Sequence, residues 1–353
     1  MSINLAIVGL PQSGRTTIFN ALTGDDVDLN VHNQTNVGVA KVPDDRLSSL
    51  RDLFRPKKFT LAEVRYLEIG QSVKNLDSAT LEQISSADAL VAVVNAFSNS
   101  DSWSAAQRDL SELLLEISFS DMTIVEKRLN KIGGIIRLAK AAERSRLEEE
   151  EKLLKRILEH LSKEKPLRIL NLSDYEKGLL SGFRLLTFKP MLAVINIGES
   201  DLSKTAQAES FFGEKFADQG MGFVALCGRL EAELSLLAPT EREEMEADFG
   251  INQSALKTVI RQSFALLDLI SFFTVGTDEV RAWPISNGTN AQNAAGKIHT
   301  DIQRGFIRAE VTNFQNLLLK KTVAEVKKAG LMRLEGKTYP VADGDVINFL
   351  FSV

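Results

Sequence analysis

Asn4-Leu5-Ala6-Ile7-Val8 is a short, mostly apolar run; Gly9-Leu10-Pro11-Gln12-Ser13-Gly14-Arg15-Thr16-Thr17 follows it, and Ile18-Phe19-Asn20-Ala21-Leu22 continues at helical spacing. The order predicts strand, loop, helix. This is the setting a phosphate loop requires, because glycines let successive backbone N–H groups turn toward anionic oxygens and the helix N-terminus presents the positive end of its dipole. Gly9, Pro11, Gln12, Ser13, Gly14, Arg15, Thr16 and Thr17 are the candidate phosphate-binding residues. The usual pattern fails at one place, since Arg15 stands where a lysine belongs. A lysine there is a compact point charge, whereas a guanidinium is planar and bulkier and presents a rigid fork of donors. Charge is kept and fit is not. Affinity can survive through the backbone cradle while hydrolysis suffers, because catalysis needs charge where the transition state develops it. The alternative is an Arg15 turned out to solvent beside a relic loop. Thr16 offers the hydroxyl that P-loop proteins give to Mg²⁺.

Working outward, Val64-Arg65-Tyr66-Leu67-Glu68-Ile69-Gly70 reads as a strand ending in a carboxylate and a glycine. In P-loop proteins an acid at such a strand end holds the water shell of Mg²⁺, which makes Glu68 a metal candidate beside Thr16; the competing reading is an exposed strand-end glutamate. Gln71 falls where Ras-like proteins keep a water-positioning glutamine, so Arg15 and Gln71 are the catalytic candidates. Residues 87–97 and 190–196 are apolar without alternation, as buried parallel strands are. The second ends in Asn196-Ile197-Gly198-Glu199, where a base-recognition loop belongs. GTPases carry Asn-Lys-x-Asp there; Asn196 keeps the amide, while Glu199 lengthens the acid, which weakens a preference for guanine. The strand 222–226 leads into Cys227-Gly228-Arg229, a second candidate base loop, with Cys227 read as a small buried residue.

The chain has 353 residues, which sets an expectation of two or three domains at about 100–200 residues each. Hydrophobic residues make up 44% and charged residues 25%, which excludes collagen-like and disordered classes. One cysteine excludes an intrachain disulfide and fits a reducing compartment. No apolar run reaches the about 18 residues of a spanning helix, so the sequence predicts a cytoplasmic protein without a membrane partner. The net charge of −5 carries no global nucleic-acid signature, and nothing marks a reader of DNA sequence. Residues 191–269 hold 6 basic and 13 acidic side chains, however, while 270–353 hold 10 and 8, so an RNA contact elsewhere stays open.

Val125, Leu129, Ile132, Ile136 and Ala139 step by four and three, and Leu147, Leu154, Leu158 and Leu161 continue the seam, as in an antiparallel coiled-coil hairpin. Gly133-Gly134 predicts a bend in its first helix, and Glu148–Glu151 reads as a solvated face. From residue 270 the pattern changes to short strands, at 271–275, 280–284, 306–311 and 346–351, around a helix over 291–300, which suggests a small α+β module. His299, Arg304 and Arg308 are there either a polar binding face or internal caps and pairs.

Together these segments resemble the YchF or Obg-like ATPase family over nearly the whole chain. Thr17-Ile18-Phe19-Asn20-Ala21-Leu22-Thr23, Asn36-Val37-Gly38-Val39 with Val42-Pro43-Asp44, and Lys165-Pro166-Leu167-Arg168 are similar to it, as is Asn196-x-x-Glu199. The C-terminal stretch is the most specific: Glu279-Val280-Arg281-Ala282-Trp283, His299-Thr300-Asp301, residues 304–311, and Leu334-Glu335-Gly336-Lys337 with Asp343-Gly344-Asp345. The resemblance implies an α/β fold with an Obg-type P-loop NTPase domain built on a mainly parallel sheet (1–100 and 185–269), a helical coiled-coil insertion (101–184) and a C-terminal α+β β-grasp, TGS-like domain (270–353). It also implies ATP or GTP with Mg²⁺ as ligands, and a ribosome or RNA met through the insertion and the TGS-like domain. The departures from the family are Arg15, a switch threonine replaced near His32 or Asn33, and Glu68-Ile69-Gly70-Gln71. Two functions follow as expectations: a nucleotide switch with slow hydrolysis, or a hydrolysis-deficient scaffold that binds RNA or protein.

Overall fold

A computed structural model describes residues 3–25, 27, 35–70, 78–98, 102–249, 251 and 254–352. By packing, the chain divides into two units, 3–39 with 65–259, and 40–64 with 260–353.

In the first unit β1 (Asn4–Val8) runs into α1 (Arg15–Thr23), followed by β2 (Thr35–Lys41). The chain then passes through α2 (Asp45–Phe54) and β3 (Lys58–Thr60) and returns as β4 (Glu63–Ile69), α3 (Ser78–Ser86) and β5 (Ala89–Ala96). The helical insertion is α4 (Ser102–Leu138), α5 (Ala141–Ser162) and α6 (Asp174–Leu180); β6 (Met191–Ile197), α7 (Thr205–Lys215), β7 (Gly222–Leu226), α8 (Gly228–Leu236) and α9 (Pro239–Asp248) complete the unit, and α10 (Ala255–Leu266) follows. The six-stranded sheet has the order β2-β4-β1-β5-β6-β7, and β1 pairs in parallel with β4 and β5, as do β5 with β6 and β6 with β7. All seven residues of β6 are buried, as the run without alternation requires of a strand covered on both faces. Parallel strands of this kind bring their carboxyl ends to one edge, where α/β sheets bind ligands.

The insertion differs from its sequence reading in two respects. α4 is a single 37-residue helix that continues through Gly133 and Gly134. Its first half buries Ala106, Leu110, Leu113 and Ile117 in the sheet core, and only its second half forms the hairpin, where Val125 packs with Leu154, Ile157 and Leu161 of α5. The acidic run is not all solvated either: Glu150 is buried and accepts from Arg128 Nε at 2.6 Å and Nη2 at 3.0 Å. A bidentate pair across two helices fixes geometry in a way a point charge does not.

The second unit continues with β8 (Leu269–Thr274), β9 (Glu279–Ser286), α11 (Ala291–Ile298), α12 (Thr300–Arg304), β10 (Phe306–Asn313), α13 (Phe314–Lys320), α14 (Val323–Lys328), β11 (Arg333–Glu335) and β12 (Asp345–Phe351). Its sheet has the order β11-β10-β12-β8-β9-β3, so the short early strand β3 pairs with β9 and joins residues 40–64 to this unit rather than to the nucleotide-binding part that the sequence suggested. Arg46 reinforces the union: it donates to Asp44 and, through Nη1 at 2.6 Å, to Asp343, and its guanidinium lies over the Phe273 ring. Ala291, Ala294 and Ala295 of α11 pack on Phe272, Ala309 and Ile347 of the sheet. His299 Nδ1 accepts from the Asp301 N–H, and Arg304 pairs with Asp301, so these side chains cap and brace α12.

Candidate functional site

The turn after β1 is shaped by what it excludes. A Cβ on Gly9 would sit 2.4 Å from the Val93 carbonyl oxygen and 2.8 Å from Ser13 Oγ. A Cβ on Gly14 would sit 2.2 Å from Asn196 Nδ2, and Gly14 has φ 90°, the left-handed region that favours glycine. Gln12 takes φ 64°, so two residues of the loop lie outside the ordinary regions. The first N–H groups of α1 have no carbonyl of their own helix to meet. Ser13 Oγ is buried with no hydrogen-bond partner among the described residues. A close-walled loop, orphan helix donors and an unsatisfied buried hydroxyl fit an anionic group with several acceptor oxygens. Pro11 is exposed on the turn, and Thr17 lies in the first turn of α1.

The cradle is held from behind by two amides. Asn196 Nδ2 donates to the Ser13 carbonyl at 3.1 Å, while its Oδ1 accepts from the Gly228 N–H at 2.9 Å. This side chain, predicted to read the base, thus ties the phosphate loop to the loop after β7. Asn95, at the end of β5, donates to the Gln12 carbonyl at 3.2 Å. Its position at a carboxyl strand end was the available signal, but an amide without a family motif around it did not stand out.

Glu68 is buried rather than a solvated strand-end acid, and it is doubly engaged: Oε1 accepts from Thr16 Oγ1 at 2.5 Å and Oε2 from Asn36 Nδ2 at 2.7 Å. Asn36 belongs to β2, which β4 places beside Glu68. Sequence spacing alone could not show that proximity. A hydroxyl that gives its proton to a carboxylate keeps its lone pairs, so Thr16 suits a hard cation such as Mg²⁺, and Glu68 suits its water shell. Among the described residues no cluster of three His, Cys, Asp or Glu could hold a metal alone. Mg²⁺ at phosphate sites needs no such cluster, since phosphates and water supply most ligands.

Arg15 does not swing to solvent. Its Nη1 donates to the Ile69 carbonyl at 2.5 Å and its Nη2 to the Gly70 carbonyl at 3.2 Å, and burial pushes its pKa down while the Glu68 charge opposes that shift. Gln71 lies outside the described residues, as do His32 and Asn33. At the far end Glu199 is exposed, and its Oε1 lies 3.8 Å from Arg229 Nε, which is closer, at 3.1 Å, to Glu233. Cys227 is buried, as its sequence context suggested.

A mainly parallel α/β sheet with a glycine-walled loop between its β1 strand and the following helix defines a P-loop nucleotide-binding protein. Residues 269–352 match the C-terminal YchF-GTPase family model, described as a protein of unknown function (DUF933). The chain is 35% identical over 370 aligned residues to the ribosome-binding ATPase YchF of Bacillus subtilis, and 33% over 368 to that of Escherichia coli O157:H7, with 100% of each chain covered. It also superposes on the structure of the Schizosaccharomyces pombe YchF GTPase with a TM-score of 0.85 at 26% identity, over 99% of this chain and 98% of that one. The chain belongs to the YchF family. Among the described residues no helix is long and apolar enough to cross a membrane.

Proposed function

We propose that this chain is a P-loop switch that binds ATP or GTP with Mg²⁺, hydrolyses it slowly and acts on the ribosome in the cytoplasm. The observation that supports it most is the cradle in which Gly9 and Gly14 leave no room for a Cβ, beside a buried Ser13 hydroxyl that meets no hydrogen-bond partner among the described residues. The relatives' names, ribosome-binding ATPase and GTPase, supply the partner and the two nucleotides. In this reading the backbone amides of the Pro11–Thr16 stretch hold the phosphates, and Thr16 holds the ion through the lone pairs that its bond to Glu68 leaves available. Glu68 orients that hydroxyl and the ion's waters. Bound Mg²⁺ neutralises charge on the outer phosphates. Asn196, with its remaining N–H, and Glu199 stand at the base, and Gln71 orients the attacking water. The insertion (101–184) and the TGS-like end (270–353) are the surfaces offered to ribosome or RNA.

A second reading, a hydrolysis-deficient scaffold, is favoured by Arg15, whose donors already meet Ile69 and Gly70. Co-sedimentation with ribosomes, run beside a phosphate-release assay, separates the two. The switch requires release above background that disappears in Gly14→Val. Ribosome binding without release selects the scaffold. A protein that neither sediments with ribosomes nor gains thermal stability from either nucleotide defeats both.

A further inference from the structure

The Arg15 side chain follows a definite course across the loop. Its Cδ lies 3.4 Å from the point a Gly9 Cβ would take, and its two terminal nitrogens end on the carbonyls of Ile69 and Gly70. It therefore crosses from the loop's first glycine to the end of β4. Thr16 and Glu68, hydrogen-bonded to each other, flank the same passage from α1 and β4. In P-loop proteins the hydroxyl at the helix start and the acid at the strand end face the outer phosphates, so a triphosphate anchored at the start of α1 would direct its last phosphate toward the strand end that Arg15 already occupies.

We propose, building on the P-loop reading above, that the Arg15 guanidinium fills the space of the terminal phosphate, so that the preferred ligand is a nucleoside diphosphate. Charge alone does not decide this, because a cation attracts both ligands. The hydrogen bonds and the volume decide it. A diphosphate ends one phosphate short, and its terminal oxygens approach the guanidinium while the bonds to Ile69 and Gly70 stay in place. A triphosphate must first displace the planar fork from both carbonyls and its stem from Gly9. A lysine, a single point charge on a flexible stem, moves aside at little cost; the fork, held at two donors, does not. Slow turnover follows, because the state left after hydrolysis is the one the site fits best.

Calorimetric titration of the full chain with ADP, ATP, GDP and GTP in Mg²⁺ buffer tests this, alongside Arg15→Ala and Arg15→Lys. The diphosphate of the preferred base is expected to bind at least about tenfold more tightly than its triphosphate, equivalent to about 1.4 kcal/mol. Arg15→Ala and Arg15→Lys should close that gap by tightening the triphosphate. A wild-type protein that binds triphosphate as well as or better than diphosphate overturns the proposal and leaves the P-loop reading standing, and so does an Arg15→Ala variant that loses triphosphate affinity. No heat with any of the four nucleotides overturns both. Should Arg15→Ala fail to fold by circular dichroism, the wild-type ratio and Arg15→Lys still decide.

Discussion

Asn196 and Asp121 perform the same task in two parts of the first unit, and they perform it with different charges. Asn196 joins the Ser13 carbonyl to the Gly228 N–H. Asp121, on α4, accepts from the Leu186 N–H at 2.8 Å, the Thr187 N–H at 2.7 Å and the Thr187 hydroxyl at 2.6 Å, and so fastens the insertion to the segment before β6. Both are buried braces between segments far apart in the chain. Where the brace lies against the loop proposed to hold phosphate, a carboxylate would repel the ligand, and a neutral amide with one donor and one acceptor serves. Where no anion is due, a carboxylate accepts more donors at once, at the cost of desolvation that raises its pKa to about 6.

The harshest way to break the comparison is Gly14→Val. A Cβ 2.2 Å from Asn196 Nδ2, on a residue with φ 90°, pushes the first brace off the loop. Nucleotide binding is expected to vanish by calorimetry, and thermal melts to show a loss of about 3 kcal/mol. Next is Asn196→Asp, which sets a carboxylate oxygen against the Ser13 carbonyl. Stability should fall by about 2 kcal/mol and nucleotide affinity by about a hundredfold; unchanged affinity would show that the neutrality of this brace is incidental.

Asp121→Asn makes the opposite exchange. It turns an NH₂ toward donors and should cost about 1–3 kcal/mol of stability while nucleotide affinity holds. The wild-type pH dependence sharpens the contrast. With a folded pKa of about 6 against the ordinary carboxylate value of 3.8, the folded chain binds a proton at Asp121 between those values that the unfolded chain does not. This group's contribution to stability is therefore present at the acid end of that window and is lost as pH rises through 6. Melts at several pH values should show this component in the wild type and lack it in Asp121→Asn. The smallest effect belongs to Arg229→Ala, which frees the exposed Glu199; the ratio of adenosine to guanosine nucleotide affinity should move by less than about threefold, because exposed pairs are worth little.

Local pattern carried far in the sequence. The phosphate loop, the buried strands, the hairpin seam and the α+β end were all legible, because each is written in neighbouring residues with period, glycine or turn chemistry. What escaped was written across distance. Lys58–Thr60 is too short to show alternation, and its partner Glu279–Arg281 is more than two hundred positions away. Asn36 and Asn95 show their purpose only once the sheet order brings β2 beside β4 and the end of β5 beside Gln12. Glu150 looked solvated because its charge suggests water, while the residue that removes it from water, Arg128, is on another helix. The sequence also left the destination of Arg15 open, since a guanidinium's reach allows several and only the carbonyls at the end of β4 select one.

The unbroken course of α4 gives Asp121 a mechanical meaning. The helix passes from sheet to hairpin near that residue, and about 17 residues, roughly 25 Å of rod at 1.5 Å each, extend beyond it to the well-exposed Leu138. For a rod of that length, a rotation of about ten degrees where it leaves the sheet would sweep the tip through roughly 4 Å, so a small adjustment beside Asp121 would reach the end of the hairpin enlarged.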